Sequence, residues 1–330
     1  MIISRTPLRV SFFGGGTDLR SYYLNQPGRV ISTGIQHYLY VVLREQPDFV
    51  EHPYRLNWSQ VEFCKTIDEI QHPVVREAYR IFGIDFPLEL TTFSDIPAGT
   101  GLGSSSSFTV GLVNALYALR RERVTKHTLA TEAAHIEIDV LGRVMGSQDH
   151  FAAAYGGINI YTFKRDAVEV EPVFCERSRL ESLEERLLLF YTGVQRNASE
   201  ILEAQDAASP QQVAALTSMA GLVSPMVEVL SGDGELSDIG PMLHESWNLK
   251  RSISPGISSE WIDEQYERAL ASGALGGKIL GAGGGGFLLL FVEPECQDAV
   301  EEALKPMKTI RPRFDKSGTR ITYFEPSRRR

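Results

Sequence analysis

The sequence has few cysteines and no long apolar run. Its 330 residues include three cysteines, Cys64, Cys175 and Cys296, which are far apart in the chain. They show no CxxC-like spacing, so neither a structural zinc site nor a disulfide framework is expected. No apolar run approaches the roughly 20 residues that a membrane helix needs, and the first residues lack the pattern of a secretory signal. These absences predict a cytoplasmic protein with no membrane partner.

The sequence also has no excess of positively charged residues. The chain carries 33 Lys and Arg residues against 42 Asp and Glu residues, a formal net charge of −9. Proteins that bind nucleic acid through bulk electrostatics need a positive face, so no nucleic-acid partner is expected. A phosphorylated ligand would have to be bound by local geometry that overcomes the overall repulsion.

Local periodicity predicts a mixed α/β chain. Alternating apolar residues from Ile35 to Leu43 and from Leu88 to Thr92 are typical of strands, and helical spacing follows the glycine-rich stretch after them. Another helix is expected from Thr125 to Leu141, before Gly142. From residue 187 the pattern indicates a strand, helices around 196–206, 210–231, 238–251 and 258–272, and the strand FLLLFV. We therefore predict an α/β (α+β) fold in two lobes, residues 1–180 and 181–330.

The stretch PAGTGLGSSSS, from Pro97 to Ser107, has the features of a phosphate-binding loop. Gly99, Gly101 and Gly103 allow backbone amides to converge on an anion without Cβ atoms in the way. The serines that follow begin a predicted helix, whose free amides and dipole also favour an anion. The alternative is a capped helix after a flexible turn, because serine is a common capping residue.

No lysine follows the last glycine of this loop, so it is not the GxxxxGK[ST] motif of P-loop proteins. The missing positive charge must come from Mg²⁺ or from elsewhere, and acidic metal ligands are expected downstream. Glu137 and Asp149 are the candidates. One could bind metal while the other orients the acceptor hydroxyl. The plainer alternatives are a solvated helix residue for Glu137 and a helix cap for Asp149.

Three motifs in a fixed order resemble those of the GHMP kinase family, which includes galactokinase, homoserine kinase and mevalonate kinase. They are RTPLRVSFFGGGTD, PAGTGLGSSSS and GGKILGAGGGGF, and the resemblance spans nearly the whole chain. It implies a kinase of small molecules that uses ATP and Mg²⁺. It also implies a two-lobed fold, with an N-terminal lobe like domain 2 of ribosomal protein S5 and a ferredoxin-like α+β C-terminal lobe.

Carried over one position at a time, the resemblance implies roles for particular residues. Asp149 would be the catalytic aspartate, and Arg9 would keep it ionised. Ser105 and Glu137 would bind Mg²⁺. ATP would be bound through the second motif, by Pro97, Gly99, Gly101, Leu102, Gly103, Ser104, Ser105 and Ser106.

The first motif departs from galactokinase, which has GEHTD where this chain has GGGTD. The change predicts a wider acceptor pocket lined by backbone, and with WNLKRS it is similar to family members that phosphorylate heptose phosphates. The resemblance then implies a sugar phosphate acceptor, phosphorylated at its anomeric hydroxyl. The residues expected to bind it are Gly15, Gly16, Thr17, Asp18, Gly283, Gly284, Gly285, Lys250 and Arg251. A tight turn is the alternative for the late glycines, and a solvated helix face is the alternative for Lys250 and Arg251.

Two other functions stay open on the sequence alone. The same backbone features would serve another sugar 1-kinase, of the fucose or galactose type. A sugar- or nucleotide-binding regulator could keep the fold and lack catalysis, because fold alone does not determine function. The sequence does not determine the oligomeric state, and a homodimer is one option. Trp58 could stack on adenine, although a lone tryptophan is more often a core residue.

Overall fold

The computed structural model describes residues 1–194 and 209–325. The helix expected around residues 196–206 lies outside the described residues. The helix expected from Thr125 to Leu141 is α-helical only up to Ala134, and the stretch 210–231 forms two helices. The other predicted helices and strands are present in the described part, with their ends shifted by a few residues.

The first sheet has eight strands, in the order β12-β1-β2-β5-β3-β4, with β6 pairing β2 and β7 pairing β6. All pairs are antiparallel except β3 with β5. The strands are β1 Ile2–Phe13, β2 Gly28–Glu45, β3 Tyr54–Asn57, β4 Val61–Cys64, β5 Leu88–Ser94, β6 Ile158–Phe163, β7 Val168–Pro172 and β12 Arg320–Phe324.

Helices cover one face of this sheet. They are α1 Arg20–Tyr23, α2 Pro73–Ile81, α3 Ser104–Leu119, α4 Lys126–Ala134 and α5 Gln148–Tyr155, and a π-helical segment, His135–Val140, continues α4. The last eight residues of β1 are all buried, because α3 packs on one side of the strand and the second lobe on the other. Because neither face meets water, the polar residues Arg9 and Ser11 are buried here as well as the apolar ones.

The second sheet has four antiparallel strands in the order β11-β8-β10-β9, which are β8 Leu187–Tyr191, β9 Ala274–Ile279, β10 Phe287–Val292 and β11 Lys308–Ile310. Its helices are α6 Arg177–Arg186, α7 Pro210–Gly221, α8 Val223–Ser231, α9 Ile239–Ile253, α10 Glu260–Ala271 and α11 Gln297–Ala303. Every residue of β10 is buried, because both faces of the sheet are covered.

The last strand of the chain returns to the first sheet. In β12, Phe324 pairs with Ile2 of β1, and the hydroxyls of Thr319 and Thr6 are 2.8 Å apart. The proposed division into two lobes at residue 180 stays a prediction. The strand β12 lies after that division in sequence but belongs to the sheet of the first lobe.

One apolar stretch, Pro210–Ser231, is long and apolar enough by length and composition to cross a membrane. That is weak evidence, because the core helices of soluble proteins pass the same test. Here the stretch forms α7 and α8, and Met219, Met226 and Leu230 are fully buried in the second lobe.

Candidate active site at the glycine-rich loop

The glycine-rich loop connects β5 to α3. Gly99, Gly101 and Gly103 have φ values of +76°, +81° and +75°, which favour glycine. Gly103 precedes the first turn of α3 and supplies no side-chain cap, so serine capping does not explain the loop. The first amides of α3 are therefore free to bind an anion. The Ser106 hydroxyl is buried and has no hydrogen-bond partner among the described residues.

Arg9 and Asp149 form an ion pair beside this loop. Arg9 lies on β1, and its Nε and Nη2 each donate to one carboxylate oxygen of Asp149 at 2.7 Å. Its Nη1 donates to the Gly101 carbonyl oxygen at 2.5 Å. Asp149 lies in the first turn of α5, two residues after the cap residue Ser147, so it does not act as a helix cap. The pair joins the loop to α5 and orients the carboxylate.

Glu137 is fully buried and lies on the π-helical segment. Its Oε1 accepts hydrogen bonds from Ser105 Oγ at 2.6 Å and from Arg143, and its Oε2 contacts His150 Nε2 at 2.8 Å. Burial alone would raise the pKa of Glu137, but hydrogen bonding and charge from His150, with help from Ser105 and Arg143, lower it to about 2. A buried carboxylate that stays ionised suits a cation site, and the solvated-helix alternative is excluded.

The regular helix expected from Thr125 to Leu141 is α-helical only up to Ala134. Beyond it the turns widen, and the Leu141 amide donates to the Ile136 carbonyl five residues earlier. A π-helical turn changes the direction in which its side chains point. Hydrophobic periodicity does not reveal such a turn, so the sequence could not indicate how Glu137 enters the interior.

Ser105 and Glu137 bring two oxygen atoms together, the ligand type that Mg²⁺ prefers. The guanidinium of Arg143 supplies positive charge at the same two atoms. No group of three or more His, Cys, Asp or Glu side chains within residues 1–194 and 209–325 could hold a metal. Any Mg²⁺ here would need further oxygen ligands from water or nucleotide phosphates.

A cavity of about 220 Å³ opens between the two lobes beside Asp149. Its wall on the first lobe contains Gly99, Gly101, Gly103 and Ser104 to Ser106 of the loop, together with Gly15, Gly16 and Asp18. Its wall on the second lobe contains Lys250, Lys278 and Gly281. The cavity thus brings together residues from all three predicted motifs.

Asp18 is buried in the cavity wall and firmly held. It accepts hydrogen bonds from the Gly16 amide at 2.9 Å and from the Gln148 amide and side chain at 3.1 and 3.0 Å. Ser11 Oγ in turn donates to Gln148 Oε1 at 2.8 Å. Burial raises the pKa of Asp18 above its ordinary value, and the charge of Asp149 adds to this. Ser11 and Gln148 were missed from the sequence, although Gln148 directly precedes Asp149.

Thr17 does not line the cavity, which corrects its predicted contact with sugar hydroxyls. Its side chain is fully buried, and its hydroxyl contacts the carbonyl oxygens of Gly14 and Arg29 at 2.7 and 3.1 Å. The same hydroxyl accepts from the Arg29 amide at 3.1 Å. Thr17 therefore ties the first-motif loop to the start of β2.

Gly283, Gly284 and Gly285 also lie outside the cavity, in the turn between β9 and β10. The Gly284 amide donates to the Ile257 carbonyl at 2.8 Å, and a Cβ at Gly285 would lie 2.6 Å from the Val194 carbonyl oxygen. These glycines are needed for close packing within the second lobe. The part of the motif that reaches the cavity is Gly281, with Ala282.

Lys250 and Arg251 are neighbours on α9 and point in different directions. Lys250 is 7% exposed and lines the cavity. Arg251 turns away from it, pairs with Asp263 at 2.9 Å and lies over the Trp247 ring. Successive side chains on a helix are rotated by about 100° around its axis, which is why these two adjacent cations point in different directions. The prediction that Arg251 contacts the acceptor is therefore corrected.

Lys278, which precedes the third glycine cluster, was not predicted. It is 3% exposed, and its Nζ donates to the Phe12 carbonyl oxygen at 2.8 Å, across the two lobes. Burial, with the charges of Lys250 and Arg9, lowers its pKa well below the ordinary value. Its position in the third motif, in GGKIL, is the sequence feature from which a role in the cavity could have been predicted.

A second cavity, of about 650 Å³, adjoins the first at Gly99, Ser104 and Ser105. Trp58 and His72 line it, and Trp58 Nε1 donates to the buried Glu62 at 2.8 Å. The glycine-rich loop therefore separates a smaller charged cavity from a larger one with aromatic walls.

Two family models match the chain. The model of the GHMP kinases N terminal domain matches residues 68–157, and that of the GHMP kinases C terminal domain matches residues 226–308. A D-glycero-alpha-D-manno-heptose 7-phosphate kinase of Campylobacter jejuni is 30% identical over 92% of this chain and 93% of its own length. The chain belongs to the GHMP kinase family. Kinases of this family use ATP, so the predicted fold class and the predicted phosphoryl donor are confirmed.

More distant GHMP kinases resemble this one over most of its length. A mevalonate kinase of Pyrococcus abyssi is 26% identical over 96% of this chain and 88% of its own. A solved heptose 1-phosphate kinase structure from Bacteroides thetaiotaomicron has a TM-score of 0.78 at 23% identity, covering 98% of this chain and 100% of its own. The galactokinase of Lactococcus lactis has a TM-score of 0.75 at 17% identity, covering 97% and 94%. At these identities the two structures establish the shared fold.

Proposed function

We propose that this GHMP kinase is a cytoplasmic enzyme that transfers the γ-phosphoryl group of ATP to the anomeric hydroxyl of D-glycero-D-manno-heptose 7-phosphate. The product is the 1,7-bisphosphate. The observation that carries the proposal is the Arg9–Asp149 pair, which faces the free amides of α3 across one cavity. This arrangement supports the proposal, because the carboxylate that would act on the acceptor lies next to the amides that would bind the phosphates of the donor.

Asp149 would orient the acceptor hydroxyl and take its proton. Both carboxylate oxygens accept hydrogen bonds from Arg9, which fixes the direction of the carboxylate. Arg9 in turn bonds the loop, so donor and acceptor are positioned through one side chain. An anomeric hydroxyl is more acidic than an ordinary alcohol, so a weak base suffices.

The larger cavity would hold the adenosine part of ATP, with its phosphates entering the loop between Gly99 and Ser106. Trp58 offers an aromatic face there, held in place by its bond to Glu62. Ser105 and Glu137 would hold Mg²⁺, which would neutralise charge on the phosphates. Arg143 would then leave Glu137, and its partly exposed side chain has room to move.

The acceptor would occupy the smaller cavity against Gly15, Gly16 and Asp18. Backbone lining leaves space for a bulky sugar, and Asp18 offers a carboxylate for its hydroxyls. The Campylobacter jejuni relative supports a heptose carrying a phosphate on carbon 7. The Bacteroides thetaiotaomicron structure is named for a heptose 1-phosphate instead, so the position of the existing phosphate has to be tested.

The test is an acceptor panel with purified enzyme, Mg²⁺ and ATP, read as ADP release. The acceptors are heptose 7-phosphate, heptose 1-phosphate, the free heptose, galactose and fucose. We expect the highest kcat/KM with the 7-phosphate. Preference for a neutral sugar would identify another sugar 1-kinase, and binding without ADP release would identify a regulator.

A further inference from the structure

Lys250 reaches the reacting end of the cavity from the second lobe. Its Nζ donates to the carbonyl oxygen of Gly281. Gly281 packs directly on the glycine-rich loop, where a Cβ at Gly281 would lie 2.7 Å from the Gly101 Cα. The Gly101 carbonyl is also the oxygen that Arg9 bonds. The ammonium group is therefore close to the phosphate-binding loop and to the Arg9–Asp149 pair.

The positive charge of Lys250 interacts with Asp18 and Asp149 at a distance but is not neutralised by direct contact with either. It forms no ion pair with any carboxylate in the described part of the chain, and its one hydrogen-bond acceptor there is the Gly281 carbonyl. Arg9 already pairs with Asp149, and Asp18 is held by backbone and amide donors. An ammonium group has three N–H donors, and burying it without an anion is costly. Such a group in a cavity wall indicates an anionic ligand.

We propose that Lys250 is a catalytic residue that donates hydrogen bonds to the γ-phosphoryl oxygens as the group is transferred. It supplies, from the second lobe, the positive charge that the glycine-rich loop lacks. This inference rests on the proposed kinase function. The acceptor oxygen bonds to the γ-phosphorus as the bond from that phosphorus to the bridging oxygen breaks. The bonding electrons leave with ADP, the hydroxyl proton passes to Asp149, and Lys250 keeps its protons throughout.

A second use of Lys250 would be to bind the phosphate that the acceptor already carries. The neighbours of Lys250 argue against it, because Arg9, Asp149 and the Gly101–Gly281 contact lie at the end where transfer occurs. A phosphate on carbon 7 is separated from the anomeric oxygen by the length of the sugar. The two uses predict different kinetics.

The first experiment compares Lys250→Met with wild type on heptose 7-phosphate and on the free heptose. We expect kcat to fall by about 100-fold or more with both acceptors, the scale seen when one transition-state donor is lost. KM for ATP and for each acceptor should change by only a few-fold. Lys308→Met, at an exposed lysine of β11, is the matched control and should behave as wild type. A loss confined to the phosphorylated acceptor, or an unchanged kcat, would overturn the proposal.

The pH profile provides a readout that a merely structural lysine would not change. Burial and the charge of Arg9 lower the pKa of Lys250 to about 8, against the opposing effect of Asp18 and Asp149. Lys278 faces the same space and also carries positive charge below its own pKa. Because the protonated form acts, wild-type kcat/KM for ATP, which reports the free enzyme, should fall as the pH rises through about 8. Lys250→Arg should keep part of the rate and extend it to higher pH, and an unchanged alkaline limb in that variant would contradict the assignment.

Folding of each variant is checked by its melting temperature and by ATP binding. If Lys250→Met does not fold, the proposal is tested with Lys250→Arg, because arginine keeps the charge and has a side chain of similar volume. If wild-type enzyme phosphorylates no sugar on the panel, the proposed function fails. If wild type is active and the Lys250 variants match it, only the role of Lys250 fails.

Discussion

At the scale of single residues, Arg9 fixes the orientation of the Asp149 carboxylate. Its two oxygens each accept one hydrogen bond at 2.7 Å, and Arg9 is 4% exposed. Bidentate pairs of this kind are geometrically specific as well as strong. In the proposed reaction, Asp149 would therefore act only on a hydroxyl that lies on the cavity side of the pair.

Asp149→Asn is expected to lower kcat by about 10²- to 10⁴-fold, the range for loss of an acid–base group. ATP binding should survive, because the loop amides and the second cavity are unchanged. Steady-state kinetics and calorimetric titration with ATP test both parts. Turnover like that of wild type would exclude the role assigned to Asp149.

Thr17→Val tests the reassignment of Thr17 from acceptor binding to structure. Loss of the hydroxyl leaves the partly buried Arg29 amide without this acceptor, which should lower the free energy of unfolding by about 1 to 3 kcal/mol. KM for the acceptor should stay within a few-fold of wild type in the folded enzyme. Thr17→Ser keeps the hydroxyl and is the control. A large rise in KM without loss of stability would restore the original assignment.

At the scale of elements, the glycine-rich loop leads into α3 and also contacts the second lobe. A Cβ at Gly101 would lie 2.5 Å from the Leu280 carbonyl oxygen, whereas a Cβ at Gly99 meets nothing within 4 Å. Both glycines have positive φ. Alanine substitutions at Gly99 and Gly101 therefore distinguish the cost of backbone strain, which both would carry, from the cost of steric overlap, which only Gly101 would carry.

Gly101→Ala should raise KM for ATP at least about 10-fold and lower the melting temperature, because a backbone carbonyl must move. Gly99→Ala carries only the strain of the left-handed conformation, on the order of 1 kcal/mol. Kinetics and thermal unfolding of the two variants check this. Equal effects would show that the contact between loop and second lobe is unimportant.

Strand and helix positions were accessible from the sequence because they depend on local periodicity. The π-helical segment was not, since it preserves an apolar face while redirecting Glu137. Lys250 and Arg251 on α9 show a second limit of prediction from sequence. Two adjacent cations look alike in the sequence, and only packing determines which one faces the cavity. Lys278 and Gln148 were overlooked for the same reason, although both lie within or beside predicted motifs.

At the scale of the whole molecule, residues near the end of the chain pack the two lobes together, in addition to the contacts around the cavity. Phe314 is 3% exposed, and its ring meets Phe12 of β1 edge to face, with centroids 6.4 Å apart. The apolar cluster that contains both rings also includes residues of α8 and β10. This arrangement was not predictable from the sequence, because it depends on contacts between residues some 300 positions apart.

Phe314→Ala should reduce the free energy of unfolding by about 3 to 5 kcal/mol, as for other buried phenylalanines. Phe174→Ala, at a phenylalanine that is 84% exposed, should change it by less than about 0.5 kcal/mol. Chemical denaturation of both variants measures the difference. Similar midpoints for the two would mean that Phe314 does not stabilise the joined lobes.

The most direct test of the central claim is ³¹P NMR of the product formed from ATP and heptose 7-phosphate by wild-type enzyme. We predict a second phosphate signal, split by the single proton on carbon 1, beside the unchanged signal of the phosphate on carbon 7. A new phosphate on any other carbon would contradict the proposed reaction. So would the absence of a second sugar phosphate signal from enzyme that phosphorylates heptose 1-phosphate in a separate reaction.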